Sequence, residues 1–436
     1  MIKIAVAGAG VGGVVCAYYF AKNGYDVTVY ERNAYSLVTY SWHDDIAVES
    51  FDAIGLGMPP EDLYYPKRNW TFVPPMSDMH IYAGLEQPTD ISIDRRGFLH
   101  WLIELARQEG VHFEFGKEVT LWVDGDTVRG LHVGGPQGIP YALVVDNCGV
   151  DSPLRAALPE SFGIQRTAGE EDVFSAYRAF FNRADGVDVE DTETNRAYLL
   201  HEGGRGISWC IADPSQSKVD VLIGRLGPLD EDTIETLLES LRRDNPIIGD
   251  RRLKGGEVCR IPVRHPQWRM VADGYALLGD SAFMTIPLLG SGMAAGMLAG
   301  RLLAETVVAH QSVSVQALWH YQVQYFRACG AEHCGVDVMK RWLLSADPAD
   351  VRWLFESGVL SRDNINDGAA GRNIRLSASE LASAAVKGRK RMGLMLSLSG
   401  LLRQCGAAQK AAESIPEVYN ARKVAEWTER MEKMFK

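Results

Sequence analysis

Residues 2–31 read IKIAVAGAGVGGVVCAYYFAKNGYDVTVYE, and this stretch predicts a β-α-β unit. A short β-rich run leads into the glycine-rich turn Gly8–Gly13, a helical stretch reaches about Asn23, and a second strand ends at Glu31. The turn has the spacing G-x-G-x-x-G, which is typical of folds that bind a dinucleotide. The unit by itself does not distinguish FAD from NAD.

The residues of this turn each suit a mechanical requirement. Gly8 allows the tight turn, Gly10 lets backbone amides approach a pyrophosphate, and Gly13 lets the helix pack closely on the strand. Glu31, at the end of the second strand, is placed to accept hydrogen bonds from a ribose diol. A glycine-rich turn without a ligand is the alternative. The predicted dinucleotide contacts are Gly8, Gly10, Val11, Gly12, Gly13, Glu31 and Arg32.

Composition limits the kind of protein that carries this unit. The chain has 436 residues, of which 46% are hydrophobic and 23% charged, as in a globular protein. Its net charge of −11 disfavours binding to nucleic acid, since a phosphate backbone would be repelled. The 7 cysteines form no C-x-x-C pair, so we expect no metal site and a reducing, cytoplasmic location. Glycines interrupt the apolar start and the apolar stretch 275–299, so we expect neither a signal peptide nor a membrane span.

A second motif lies far along the chain. Gly279 and Asp280 follow a short β-rich run, and Gly290, Gly292 and Met293 lead into a helix. This pattern resembles the second FAD fingerprint of the glutathione-reductase-type flavoproteins. The resemblance implies that Asp280 hydrogen-bonds the ribityl chain, and that the segment from Gly290 through Gly292 to Met293 faces the pyrophosphate and flavin. An Asp that only caps the helix is the alternative. Together with the N-terminal unit, the motif favours FAD as the cofactor.

Residues 94–102 resemble a third element of the same flavoproteins. They read DRRGFLHWL, similar to the D-R-x-x-F-x-x-x-L helix whose Arg contacts the flavin side chain or the pyrophosphate. Asp94 is predicted to cap this helix, and the resemblance implies that Arg95 contacts FAD. It also implies that backbone groups at Val119 hold the adenine. A solvated Arg in the first helical turn is the alternative.

Residues 146–155 carry an imperfect version of another flavoprotein motif. Flavin hydroxylases of the p-hydroxybenzoate type have A-D-G-x-x-S-x-x-R at this point, whereas this chain has Asn147-Cys148-Gly149 and retains Ser152 and Arg155. The departure weakens the resemblance to hydroxylases and leaves open where a nicotinamide would bind. Cys148 is interpreted as a small buried residue at a strand end and not as a nucleophile.

Over nearly its whole length the chain resembles the geranylgeranyl reductase family, flavoproteins that saturate isoprenoid double bonds. The segments that carry the resemblance are residues 176–181, 206–209, 219–221, 254–256 and 261–262, in the family's order before Gly279 and Asp280. The resemblance implies an α/β fold in which a glutathione-reductase-type Rossmann FAD domain holds an inserted antiparallel β-sheet substrate domain, followed by a C-terminal helical region. The predicted segments are 1–164 and 256–330 for FAD, 165–255 for the substrate, and 331–436 for the helices.

The chain departs from that family near the expected active site. The family has a Cys after the first β-α-β unit, whereas residues 40–46 read YSWHDDI. We interpret Trp42 as a stacking wall and His43 as a proton donor close to the flavin. Asp44 or Asp45 would orient the ring and raise its pKa. Trp209, expected on the flavin-facing side of the substrate sheet, is a second candidate for the pocket wall. The alternatives are a turn-capping His43, solvated aspartates and a packing role for Trp209.

The sequence therefore predicts an FAD-dependent oxidoreductase that reduces a C=C bond of a hydrophobic or isoprenoid-like small molecule. NAD(P)H or an electron-donor protein is the expected source of electrons. Two other hypotheses stay open: an NAD(P)H-dependent monooxygenase, and a non-redox isomerase, hydratase or binding protein that uses FAD as a scaffold. Residues 387–396 join a basic cluster to an apolar run, which suggests contact with a membrane surface without a membrane span. A helix that packs on the body is the alternative.

Overall fold

The computed structural model describes residues 2–67, 69–84, 90–187, 194–213 and 217–435. In chain order the strands are β1 (Lys3–Ala7), β2 (Asp26–Glu31), β3 (His43–Ala47), β4 (Tyr64–Lys67), β5 (Asn69–Val73), β6 (Ile81–Gly84), β7 (Asp90–Asp94), β8 (His112–Phe115), β9 (Val119–Asp124), β10 (Thr127–Val133), β11 (Gly138–Pro140), β12 (Leu143–Asp146), β13 (Val173–Arg183), β14 (Thr194–Leu199), β15 (Gly206–Asp213), β16 (Lys218–Leu226), β17 (Ile248–Pro262), β18 (Val271–Ala272) and β19 (Tyr275–Leu277). The helices are α1 (Val11–Lys22), α2 (Glu49–Ile54), α3 (Arg95–Gln108), α4 (Pro153–Ala156), α5 (Glu231–Asp244), α6 (Met293–His310), α7 (Val315–Tyr325), α8 (Ala331–Ser345), α9 (Pro348–Glu356), α10 (Arg362–Ala369), α11 (Ala378–Lys387), α12 (Met392–Glu413) and α13 (Ala421–Phe435).

The dinucleotide-binding part is built on a mostly parallel sheet with the strand order β18-β19-β12-β1-β2-β8. In its centre Ile4 of β1 lies opposite Val27 of β2 and Leu143 of β12, in parallel register. The central strands are apolar and almost completely buried, as expected where both faces of a parallel sheet are covered. On this sheet α1 packs against α3 and α6. The predicted α/β fold with a Rossmann domain is therefore confirmed.

A second, larger sheet has the order β17-β13-β16-β15-β14-β5-β6 and is antiparallel except between β14 and β5. One side of it forms a core with α5, in which Val221 and Leu241 are completely buried. The predicted boundary at residue 255 falls inside β17, because this strand pairs with β13 as far as Pro262. β5 and β6, which lie in the first predicted FAD segment, extend the same sheet. The other predicted boundaries stay predictions.

A small antiparallel sheet, β3-β7-β4, lies against the large one. His43 of β3 is opposite Asp94 of β7, and its ring contacts Phe180 of β13 with 5.0 Å between ring centroids. This sheet therefore brings the predicted catalytic segment onto the large sheet.

Beyond α6 the chain is helical, as predicted for residues 331–436. A π-helical turn, Phe326–Gly330, joins α7 to α8, and Ser361 and Ser377 cap α10 and α11 through capping boxes. In the described part of the chain, none of the helices combines the length and the apolar character that crossing a bilayer requires.

Candidate active site

The turn between β1 and α1 leaves no room for side chains. Gly8 has φ +95°, and a Cβ there would lie 2.4 Å from the carbonyl oxygen of Asn147. A Cβ at Gly10 would lie 2.7 Å from Nδ2 of Asn147, and one at Gly13 would lie 2.7 Å from the carbonyl oxygen of Gly8. No described side chain caps α1, so its first amide groups stay available to an anion. The turn fits the pyrophosphate of a dinucleotide.

Glu31 lies at the end of β2, beside this turn. Its side chain is buried, and its carboxylate accepts hydrogen bonds from the backbone N–H of Ala9 at 3.0 Å and of Asn33 at 2.9 Å. These bonds fix the carboxylate where the sequence predicts the ribose diol. Arg32 is exposed, and Val119 is half-buried at the start of β9. The predicted contacts of Arg32 and Val119 with FAD stay predictions.

Asp280 lies in a 3₁₀ turn, Gly279–Ala282, directly after β19. Burial raises the pKa of Asp280, and its Oδ1 accepts a hydrogen bond of 3.1 Å from the hydroxyl of Thr285. A Cβ at Gly292, the residue before α6, would lie 3.2 Å from the same Oδ1. The side chain of Asp280 and the N-terminus of α6 therefore lie together, as the FAD interpretation requires.

Glycines also hold α1 and α6 together near their N-terminal ends. A Cβ at Gly12 would lie 2.8 Å from the carbonyl oxygen of Gly296, and one at Gly300 would lie 2.4 Å from the carbonyl oxygen of Gly12. Gly290, with φ +70°, and Met293, the first residue of α6, lie at the same end. Two helix N-termini suit the phosphates, and the two carboxylates described above suit hydroxyl groups. The residues present therefore fit FAD.

Asp146 links the glycine turn Gly8–Gly13 to the turn that carries Asp280. No sequence motif points to this residue. It is completely buried at the end of β12. It accepts hydrogen bonds from the hydroxyls of Ser152 at 2.5 Å, Tyr275 at 2.6 Å and Ser281 at 3.0 Å, and from the N–H of Cys148 at 3.0 Å. The next residue, Asn147, donates a hydrogen bond of 3.1 Å from its side chain to the carbonyl of Gly8. Since Ser281 belongs to the turn of Asp280, this network fixes the glycine turn relative to that turn.

Arg155 and Cys148 have structural roles in the same region. Arg155 is buried and donates a hydrogen bond of 2.6 Å to the carbonyl of Ser281. Burial and the neighbouring Asp146 raise the pKa of the Cys148 thiol, so this group is a poor nucleophile. Both observations agree with the structural interpretation of this motif.

Arg95 is the first residue of α3 and points toward the same region. Its Nε donates a hydrogen bond of 2.6 Å to the hydroxyl of Thr39, and its guanidinium pairs with Asp44 and lies 5.5 Å from the ring centroid of Tyr40. Burial opposes the charge, but Asp44 leaves the pKa of Arg95 raised. Arg95 is therefore a fixed cation near Asp280, whose charge also contributes to this raised pKa.

His43 is buried and is not paired with the aspartates that follow it. Its Nε2 lies 3.8 Å from Oδ2 of Asp94, and its Nδ1 lies 3.4 Å from the hydroxyl of Ser92. Burial lowers the pKa of His43 to about 4, with nearby cations such as Lys254 adding to the effect and Asp220 opposing it. The expectation that Asp44 or Asp45 orients the ring and raises its pKa therefore does not match the structure. The ring is neutral near pH 7.

Asp44 and Asp45 belong instead to a group of buried charges on four strands. We call Asp44, Asp45, Lys67, Arg178 and Asp220 the buried charge cluster. Arg178 binds Asp220 through hydrogen bonds of 3.0 and 2.6 Å, and Lys67 binds Asp45 at 2.6 Å. Both aspartates of β3 also lie 3.7 Å from Arg178. With Arg95 on Asp44, three cations balance three carboxylates.

The charged groups of this cluster shift one another's pKa values. Burial favours neutral Asp45, but Lys67 and Arg178 lower its pKa. Burial also favours the neutral form of Lys67 and therefore lowers its pKa. Trp209 is buried among these groups, with Lys67 4.2 Å and Arg178 4.6 Å from its ring centroid. These cations lie on the indole that the sequence predicts as a pocket wall, so packing accounts for its position.

Trp42, the residue before His43, is also buried. It stacks on Tyr40 with 4.2 Å between ring centroids and packs against Phe180 and Cys259. Its indole N–H has no hydrogen-bond partner within the described residues. Burial, with Cys259 and Asp280 nearby, raises the pKa of Tyr40 to about 12. The stack of Tyr40 and Trp42 therefore lies within electrostatic reach of Asp280.

Comparisons with known proteins agree with this geometry. A family model described as an NAD(P)-binding Rossmann-like domain matches residues 6–53. The digeranylgeranylglycerophospholipid reductase of Sulfolobus acidocaldarius is 21% identical over 434 residues, which cover 95% of this chain and 92% of the relative. The similarity to this reductase therefore extends over nearly the whole chain. The prediction of an FAD-dependent oxidoreductase is confirmed.

Solved structures share the fold of this chain. A geranylgeranyl bacteriochlorophyll reductase-like protein from Thermoplasma acidophilum has a TM-score of 0.73 at 17% identity, covering 92% of this chain and 100% of that chain. A flavin-dependent brominase has a TM-score of 0.62 at 17% identity, covering 89% and 99%. At these identities the likeness concerns the fold, which enzymes of different reactions share.

Proposed function

We propose that this protein uses FAD to reduce a C=C bond in a hydrophobic, isoprenoid-like molecule. One observation carries the proposal: glycine contacts bring the N-terminal parts of α1 and α6 together, as a dinucleotide site would require, in a chain that is similar along its length to a named lipid reductase. We call this proposed site the FAD cradle. The bound FAD would supply the hydride. NAD(P)H or an electron-donor protein is the proposed source of electrons.

The proposed FAD contacts divide by chemistry. The glycine turn Gly8–Gly13 and the amides at the start of α6, with Gly290, Gly292 and Met293, would hold the pyrophosphate and flavin. Glu31 and Asp280 would accept hydrogen bonds from hydroxyl groups, and Arg95 would supply a fixed positive charge. Arg32 and Val119 are proposed as outer contacts of the adenosine.

The wall facing the flavin is proposed to be the stack of Tyr40 and Trp42. The indole N–H of Trp42, one of the two stacked rings, is buried without a hydrogen-bond partner among the residues that the structure describes, and it would find an acceptor in a bound ligand. The Tyr40 hydroxyl keeps its proton near pH 7, because its pKa is raised to about 12. Tyr40 is therefore a second candidate for proton donation to the substrate.

His43 stays the first candidate for proton donation to the substrate, but its lowered pKa means that it would act as a neutral ring. With a pKa of about 4 it cannot deliver a proton as an imidazolium near pH 7. A neutral ring can still pass a proton by accepting one at one nitrogen while it releases another. Nδ1 faces Ser92 and Nε2 faces Asp94, so a relayed proton would enter the ring from the side of Asp94 and leave through the hydroxyl of Ser92 toward the substrate.

The experiment separates binding of FAD, proton delivery and the type of reaction. The FAD-loaded protein is reduced with dithionite under anaerobic conditions and mixed with digeranylgeranylglycerophospholipid dispersed in detergent. We expect the oxidised flavin spectrum to return and each reduced double bond to gain two hydrogen atoms by mass spectrometry. A flavin that stays reduced until O₂ is admitted, with O₂ then consumed and an oxygen atom added to the substrate, would instead support the monooxygenase. Turnover without any flavin redox change would support a scaffold role.

Two variants test the proton donor. His43→Ala and Tyr40→Phe should both keep FAD and its rate of reduction. The variant that removes the donor should slow reoxidation of the flavin by substrate about 10²–10⁴-fold, the usual contribution of a general acid. Wild-type reoxidation in His43→Ala would exclude the relay and leave Tyr40.

A further inference from the structure

The turn between α11 and α12 exposes apolar side chains beside cations. Val386, Met392 and Leu396 are 70%, 52% and 67% exposed. Arg389 and Lys390 lie between them in sequence and are also exposed. We call these five residues the apolar–basic tip.

The base of this turn is fixed to the body of the protein. Ala384 of α11 and Leu398 of α12 are buried in one hydrophobic cluster. Lys387 donates a hydrogen bond to the carbonyl of Gly358, and Arg391 pairs with Asp350 at 2.6 Å. Lys387 and Arg391, which flank Arg389 and Lys390 in the sequence, thus hold this turn in place.

The remaining two cations are not used in this way. Arg389 and Lys390 have no ion-pair partner within the part of the chain that the structure describes. Met392 and Leu396 are four residues apart on α12 and so lie on the same side of the helix. The tip therefore presents apolar groups and uncompensated positive charge together.

We propose that the apolar–basic tip docks this protein on the surface of an anionic lipid bilayer. Val386, Met392 and Leu396 would enter the boundary between headgroups and acyl chains, while Arg389 and Lys390 contact lipid phosphates. The whole chain has a net charge of −11, so most of its surface would be repelled by such a bilayer. The tip is a place where charge and apolar surface both favour contact.

Charge also decides between the lipid surface and a second copy of the chain. A symmetric contact through the tip would bring the same two cations close to their own counterparts, which is unfavourable. An anionic bilayer offers opposite charge to the cations and an apolar interior to the side chains beside them. The contact is superficial, because the described helices include none that could cross a bilayer.

The test measures binding of the full, FAD-loaded chain to vesicles by co-sedimentation. Vesicles of phosphatidylglycerol and phosphatidylcholine are compared with vesicles of phosphatidylcholine alone. We expect binding to the anionic vesicles only, weakening as salt is added. Arg389→Ala with Lys390→Ala should weaken partitioning about 30-fold, since one basic residue near an anionic surface contributes about five-fold. Val386→Ser with Leu396→Ser should weaken it at least about ten-fold.

A control makes one substitution of each kind at another exposed place. Val418 is 66% exposed and Lys423 is exposed, so Val418→Ser with Lys423→Ala should leave vesicle binding unchanged. Equal binding to both kinds of vesicle, no binding, or binding that the tip variants do not change would overturn the proposal. So would a concentration-dependent dimer in sedimentation velocity that the tip variants abolish, because the occupant would then be a second copy.

This inference does not depend on the proposed reaction. Vesicle binding needs no turnover, so a protein that docks through the tip but reduces no alkene would contradict only the proposed function. A protein that reduces the lipid in detergent but ignores anionic vesicles would contradict only the docking.

Discussion

The proposed FAD cradle and the buried charge cluster are built in opposite ways. The cradle depends on missing side chains, since a Cβ at Gly8, Gly10 or Gly12 would lie within 2.8 Å of another atom. The cluster depends on long charged side chains that meet from β3, β4, β13 and β16. One region makes space for a ligand, and the other fills its own space with ion pairs.

The two regions should therefore respond differently to substitution. Removing a buried charge leaves its partners desolvated and unpaired, so the cluster should fail through the stability of the fold. Adding a side chain to the cradle should fail through the loss of FAD, with the protein still folded. The two regions can therefore be separated by measuring unfolding and FAD binding on the same variants.

The largest expected effect is the loss of FAD from Gly10→Val. The valine side chain would meet Nδ2 of Asn147, which itself lies 3.1 Å from the carbonyl of Gly8, so the turn cannot keep its form around a pyrophosphate. Titration with FAD should show no saturable flavin binding. Gly135→Val is the control, because a Cβ at Gly135 has no atom within 4 Å. Equal FAD affinity in the two variants would show that this turn is not the cradle.

Arg178→Met should cause the largest loss of folding stability. It leaves Asp220 buried without its bidentate partner, and we expect the free energy of unfolding to fall by about 3–5 kcal/mol. Urea denaturation followed by circular dichroism gives this value. Arg205→Met removes an exposed pair with Glu171 and should cost at most about 1 kcal/mol. If both variants lose the same stability, the cluster is not a buried network.

These expectations show what local sequence can and cannot predict. The residues of the cradle can be predicted because each part of it is contiguous in the sequence, from Gly8 to Glu31 and around Asp280. The cluster joins Asp45, Lys67, Arg178 and Asp220 across several strands, and no local pattern determines which strands pair. The sequence accordingly assigns Asp44 and Asp45 to His43, which follows chain adjacency, whereas strand pairing places Asp94 next to the ring.

The same reasoning explains the other differences. Asp146 could not be predicted from the hydroxylase motif. The Asp of that motif corresponds to Cys148, two residues after Asp146. Trp209 is identified correctly as a residue of the large sheet, but its cationic neighbours come from β4 and β13. The extension of that sheet by β5 and β6 also required knowledge of pairing between distant segments.

Stability should depend on pH through His43. Its pKa is about 4 in the folded protein, below the ordinary value of about 6.5. Between pH 6.5 and 4 the unfolded chain takes up a proton that the folded chain does not, so the free energy of unfolding falls, by up to about 3 kcal/mol.

His43→Gln should remove this part of the pH dependence in urea denaturation across the same range. His112→Gln changes an exposed histidine and should leave the pH dependence almost intact. A wild-type slope in His43→Gln would mean that the ring is not held neutral by burial.

Glu31→Ala should have the smallest of these effects. The loss of charge-assisted hydrogen bonds to a ribose should weaken FAD binding by about 1.5–3 kcal/mol, without changing the chemistry of loaded molecules. FAD titration by fluorescence measures the loss, and Glu239→Ala at an exposed site on α5 is the control. If Glu31→Ala binds FAD as the wild type does, the carboxylate lies outside the ribose site.

Reduction of an isoprenoid-like C=C bond by the reduced flavin can be followed in the anaerobic oxidative half-reaction. FAD-loaded protein is reduced with dithionite, mixed with digeranylgeranylglycerophospholipid and followed by flavin absorbance. We expect the flavin to be reoxidised without O₂ and the lipid to gain two hydrogen atoms per double bond reduced. A flavin that stays reduced with this lipid until O₂ is admitted would exclude this lipid reduction.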